Sequence, residues 1–153
     1  MGVHCSAGTA YFSVVDDGVL LDDDLKRMSL PAGEQSKRLQ VFVDDLARTM
    51  RERKVDAVGV LKAEGLPPNP SQRVNVPALQ QRTTLETLIQ LAAVQADVDV
   101  EMLERATVRS RLGLGKAGRL EEMLEEAAPG MTGLYWAAGR GLAAVAARAK
   151  LAA

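Results

Sequence analysis

Gly2-Val3-His4-Cys5-Ser6-Ala7-Gly8-Thr9-Ala10-Tyr11-Phe12-Ser13-Val14-Val15 opens the chain. The stretch breaks at Ala7-Gly8 and resumes with β-branched and aromatic residues. It reads as two strand pieces joined by a small-residue turn. A strand in first place, with helices gathered later, is expected in the middle of a sheet. Asp16-Asp17-Gly18 follows, and Asp-Gly supplies the positive φ that a hairpin turn needs. Val19-Leu20-Leu21 is the expected returning strand. Asp22-Asp23-Asp24 reads as a second polar turn, and Leu25 to Leu30 as a third strand. Three antiparallel strands in a meander are the simplest arrangement.

Working outward, Pro31-Ala32-Gly33 is a linker. Glu34 to Lys54 then carries Leu39, Phe42, Val43, Leu46 and Met50 on one helical face. Val55 to Leu61 is apolar apart from Asp56 and Gly59 and predicts a buried fourth strand, for which the helix is the crossover. Lys62 to Val76, with Gly65, Pro67-Pro68 and Asn69-Pro70, predicts the longest loop. Pro77 suits a first helical turn, and Leu85, Leu88, Ile89, Ala92 and Ala96 carry that helix to about Ala96. Val98 to Met102 predicts a fifth strand. Short helices are expected over Glu104 to Leu112 and Lys116 to Ala128, separated by Gly113-Leu114-Gly115 and stopped by Pro129-Gly130. Met131 to Ala153 predicts a last, Ala-rich helix. Its small residues suit close packing, either inside the fold or against a second copy of the chain, and the spacing does not separate the two.

The 153 residues fit one domain, 1–153, with a core of its own. A net charge of −1 excludes a strongly basic footprint and leaves room only for a local patch. With aromatics at 3%, that core must be built from Leu, Val, Ala and Met. The single cysteine, Cys5, excludes an internal disulfide and suits a reducing cytoplasm. No apolar run approaches the roughly 18 residues of a membrane helix. No basic start followed by a hydrophobic segment marks a signal peptide.

The order β-β-β-α-β-α-β-α-α resembles the ribonuclease H-like superfamily, and within it the RuvC-like Holliday-junction resolvases. The stretch that carries this is Val98 to Ala117. Its Glu101, Arg105, Val108-Arg109, Gly113-Leu114-Gly115 and Ala117 follow the pattern of that family without a gap. Ala7-Gly8 is similar to the Pro-Gly after its first-strand aspartate. The resemblance implies an α/β fold: a five-stranded mixed sheet, three antiparallel strands then two parallel ones, with helices on both faces. It also implies four acids around paired magnesium ions, which activate water and stabilise the departing oxygen of a phosphodiester.

Those acids do not carry over. Ser6 stands at the first-strand position, Leu61 or Lys62 at the end of the fourth strand, and Ala137 and Arg140 in the last helix. The expectation is therefore a metal-free, non-catalytic relative that needs no cofactor and binds branched or duplex DNA. The proposed contacts are Arg105, Arg109, Arg111, Lys116 and Arg119, around a turn whose backbone N–H groups can meet phosphate. Two alternatives stand beside it. One is an interaction scaffold, a homodimer among its forms. The other is a nuclease with relocated acids such as Glu64 and Glu101, set against solvated or ion-paired roles for the same residues. Asp16 and Asp17 read as solvated turn residues. Gly113 to Gly118 matches Gly-x-Gly-x-x-Gly, but helices follow it, which a dinucleotide fold would not have. His4 and Cys5 are strand neighbours facing opposite ways and make a poor catalytic pair. A zinc site lacks further His or Cys ligands. Tyr135-Trp136 offers base stacking or a core aromatic pair.

Overall fold

The alternation in the first strand decides which helices cover which face. The computed structural model describes residues 1–64, 73 and 75–153. Strands β1 (Gly2–Ser6) and β2 (Thr9–Ser13) pair antiparallel, with Gly2 opposite Ser13 and Ser6 opposite Thr9. A separate ribbon, β3 (Val15–Asp16) and β4 (Val19–Leu20), follows, and then β5 (Arg27–Ser29), helix α1 (Gln35–Glu52) and β6 (Ala57–Leu61). The chain continues through α2 (Val76–Gln95), β7 (Asp99–Leu103) and α3 (Arg105–Leu112). The main sheet has five strands in the order β5-β2-β1-β6-β7, and β1, β6 and β7 are parallel. It is an α/β fold with an antiparallel half and a parallel half.

Val3, Cys5, Ala10, Phe12, Val58 and Val60 point to one face and pack under α1 and α2. Leu61 and Leu103 point to the other, among Val108, Leu120, Leu142 and Val145. Cys5 is fully buried, and burial pushes its thiol up to about 12, with Glu86 adding to the effect and Arg82 opposing it. Such a thiol is inert in the native state. A thiol-reactive dye is expected to label Cys5 only as fast as the sheet opens, and at full speed in denaturant. Rapid labelling of the native protein would contradict this burial.

Three expectations are corrected. The returning strand Val19–Leu20 pairs only with Val15–Asp16, and Arg27–Ser29 takes the place beside β2. The Asp17-Gly18 loop does have positive φ at both residues, as a two-residue hairpin requires, but its strands are too short to join the main sheet. Lys116 to Ala128 is not one helix. It contains a 3-10 turn, Leu120–Met123, and a single turn α4 (Leu124–Ala127). The last helix does not begin at Met131. Tyr135 sits in the left-handed region at φ 60° and Gly139 is non-helical, so a π-turn over Trp136–Arg140 precedes α5 (Gly141–Leu151). The expected loop from Lys62 to Val76 lies mostly outside the described residues. Val76 itself opens α2, where the Asn75 side chain accepts a hydrogen bond from the Ala78 N–H at 3.1 Å.

The Ala-rich end packs inside the fold. Ala143, Ala144, Ala146, Ala147 and Ala149 are buried against β1 and β6, and glycines on those strands leave α5 room to lie against the sheet.

Candidate nucleic-acid interface

Parallel pairing brings the ends of β1, β6 and β7 to one edge of the sheet. Ser6 closes β1 and is exposed. Leu61 closes β6, fully buried beside Leu103, and its neighbour across β1 is His4. Arg140, where the resemblance implied an acid, is only 3% exposed. Its Nε donates to the Phe12 carbonyl at 3.1 Å and its Nη1 to the Leu134 carbonyl at 2.9 Å. The Ser13 hydroxyl donates to the Arg140 carbonyl at 2.9 Å. Magnesium requires hard oxygen ligands at close to octahedral geometry. An exposed hydroxyl, a buried leucine and a guanidinium do not fit that ion. Among the described residues no group of three or more Asp, Glu, His or Cys converges to hold a metal.

Five residues read as DNA contacts fall into two sets. Arg105 is paired twice. It meets Glu121 at 2.8 Å and 3.2 Å, and Glu64 at 2.9 Å off the line of a hydrogen bond. Arg111 binds Glu101 through both terminal nitrogens, at 2.7 Å and 3.0 Å. Arg109 donates to the carbonyls of Gly115, Ala117 and Gly118. That turn therefore directs carbonyls inward to a cation, and short 3-10 structure follows it rather than a helix start. Lys116 and Arg119 are exposed and form no ion pair among the described residues.

The relocated acids are also occupied. Glu101 binds Arg111 and Lys150, and these hydrogen bonds, Arg111 first, hold its carboxyl below the usual range. Lys150 also reaches Asp99 at 2.6 Å. Glu64 meets Arg105, while its side chain stays 70% exposed.

Sequence reading missed two buried polar groups near this edge, on opposite faces of the sheet. Glu86 on α2 is 5% exposed. It accepts from the Ala63 N–H at 2.7 Å and from Arg82 Nε at 3.2 Å. Burial holds its carboxyl above the ordinary range, against the pull of Arg82 and Ala63. His4 is 6% exposed, and its Nδ1 has no hydrogen-bond partner. Burial, then the charges of Arg82 and Arg105, push its imidazole down to about 3, with Glu121 opposing. A cleft of about 720 Å³ opens beside Glu86, lined by Lys62, Glu64, Thr83, Glu86, Glu104 and Arg105. The signal available was Arg82 and Glu86 at i,i+4, with Glu86 on the apolar stripe of α2.

No protein-family model and no curated protein sequence matches the chain. Solved structures do. RuvC of T. thermophilus in complex with a Holliday junction substrate matches with a TM-score of 0.68, over 99% of this chain and 90% of that one. The chain has the RuvC fold. A Thermus thermophilus RuvC structure gives a TM-score of 0.67 over 99% and 92% of the two chains. Sequence identities to these two RuvC structures are 16% and 14%, so the likeness establishes the scaffold and not its chemistry. Among the described residues no helix is long and apolar enough to cross a membrane.

Proposed function

We propose that this chain binds structured or branched nucleic acid without cleaving it. One observation carries the reading: a RuvC fold spans 99% of the chain, yet its strand-end positions hold an exposed serine and a buried leucine. The T. thermophilus RuvC structure is a complex with a Holliday junction substrate, which supports the ligand class. The contact region is Arg105 to Arg119, with its labour divided. Lys116 and Arg119 meet phosphate, Arg109 shapes the turn that presents them, and Arg105 and Arg111 fasten α3 to the sheet.

An electrophoretic shift with a four-way junction and a matched duplex, at about 50 mM salt, tests this. Binding is expected at micromolar protein, with no strand cut when magnesium or manganese is added. Changing Lys116 and Arg119 together to Ala is expected to weaken binding and to reduce the salt slope by about two. No shift in low salt would overturn the proposal. A second reading, an interaction scaffold or homodimer, is favoured by the exposed Val76, Leu91 and Val94 on α2. Light scattering that reports a stable dimer, together with no nucleic-acid binding, would select it.

A further inference from the structure

We propose that the exposed end of the β1, β2 and β5 face takes an unpaired nucleotide, which stacks on Arg27 above Tyr135 and sets its phosphate against the hydroxyls of Ser6, Thr9 and Ser29. The inference rests on the nucleic-acid reading and narrows it from duplex to unpaired strand.

Register builds this surface. Ser6, Thr9 and Ser29 are cross-strand partners in one row, and the Thr9 and Ser29 hydroxyls lie 3.2 Å apart. His4, Tyr11 and Arg27 form the next row on the same face. Arg27 is exposed and makes no ion pair among the described residues. Its guanidinium lies over the Tyr135 ring, 4.3 Å from the centroid. Tyr135 in turn tilts against Tyr11, with centroids 6.4 Å apart. A guanidinium placed over an aromatic ring can offer its outer side to a base and its N–H groups to phosphate.

The platform is held from below. Tyr135 keeps a left-handed backbone at φ 60°, which costs a non-glycine residue energy and needs support. Arg140 supplies that support by tying the Leu134 carbonyl to the Phe12 carbonyl of β2. Gly139 lets the Tyr11 ring approach, since a Cβ there would lie 2.4 Å from it. A duplex keeps its bases stacked on one another and offers none to this platform. An unpaired strand, including one at a branch point, does.

The test is fluorescence anisotropy with a labelled oligothymidine of about 20 nucleotides, at about 50 mM salt, with a duplex of equal length as comparison. Arg27→Gln and Tyr135→Asn are the variants, asparagine being chosen because it tolerates the left-handed backbone. Each is expected to weaken single-strand binding about tenfold and to change duplex binding little. Melting curves confirm that the variants fold. Should either not fold, the wild type still decides, because Trp136 is the only tryptophan and adjoins Tyr135. Its emission is expected to change on saturation with oligothymidine. Unchanged single-strand affinity in both variants, or unchanged Trp136 emission at saturation, overturns the platform. If junction binding persists in that case, the proposed function stands without it. Loss of all nucleic-acid binding in the wild type removes both.

Discussion

Gly2→Ala is expected to cost at least about 3 kcal/mol of stability and to lower the melting temperature by roughly 6–12 °C. A Cβ on Gly2 would lie 1.8 Å from the Ala143 carbonyl oxygen and 2.4 Å from the Ala147 nitrogen. Both are backbone atoms of α5, so no side chain can swing aside. The whole helix must lift, and with it Leu142 and Val145, which pack against Leu61 and Leu103. Gly59→Ala meets the Ala146 carbonyl oxygen at 2.7 Å and Lys150 Cβ at 2.9 Å. Its loss is expected to be smaller but of the same sign. Gly8→Ala is the control, because its nearest neighbour is the Gln81 side chain at 3.6 Å. Thermal melts followed by circular dichroism decide the matter. A Gly2→Ala protein that melts with the wild type would mean that α5 does not lie so close to the sheet.

His4 makes the second large effect, and it depends on pH. Its folded pKa, about 3, lies below the ordinary value of 6.5 because the imidazole is buried and Arg82 and Arg105 stand nearby. Between those values the unfolded chain binds a proton that the folded chain refuses. Stability is therefore highest above pH 6.5 and falls as the pH drops toward 3. From pH 7 to pH 5 the loss from this group is expected to be about 2 kcal/mol. Glu86 acts in the opposite sense, since its raised pKa favours the folded state as acid is added. Comparison with His4→Leu isolates the histidine. That variant is expected to be no less stable at neutral pH, since it removes a buried nitrogen with no partner, and to lose about 2 kcal/mol less on acidification. Denaturant unfolding at the two pH values measures both. A pH dependence identical in the two proteins would refute the assignment.

The fold was legible because its signals are local. The break at Ala7-Gly8, the stripe Leu39-Phe42-Val43-Leu46-Met50 and the run Val55 to Leu61 each state a period or a turn. The chain assembled them with ends shifted by a residue or two. The final helix was misread because alanine is equally helical throughout, and nothing local shows that Tyr11 requires the Gly139 backbone to bend away. The Arg105 to Arg119 cations were legible as a cluster. Their internal partners were not, because Glu121, Glu101 and the turn carbonyls reach them only through tertiary packing. His4 stayed hidden for a related reason: a lone polar residue on an apolar face carries no periodic signature, and Glu86 was signalled only by Arg82 one helical turn before it.

The Arg140 clamp also limits which residues its position tolerates. Placing aspartate there would cut the tie between Phe12 and Leu134, and placing glutamate at Leu61 would bury a carboxylate among leucines and valines. Each step toward an acid-lined cleft thus lowers stability before any ion could reward it.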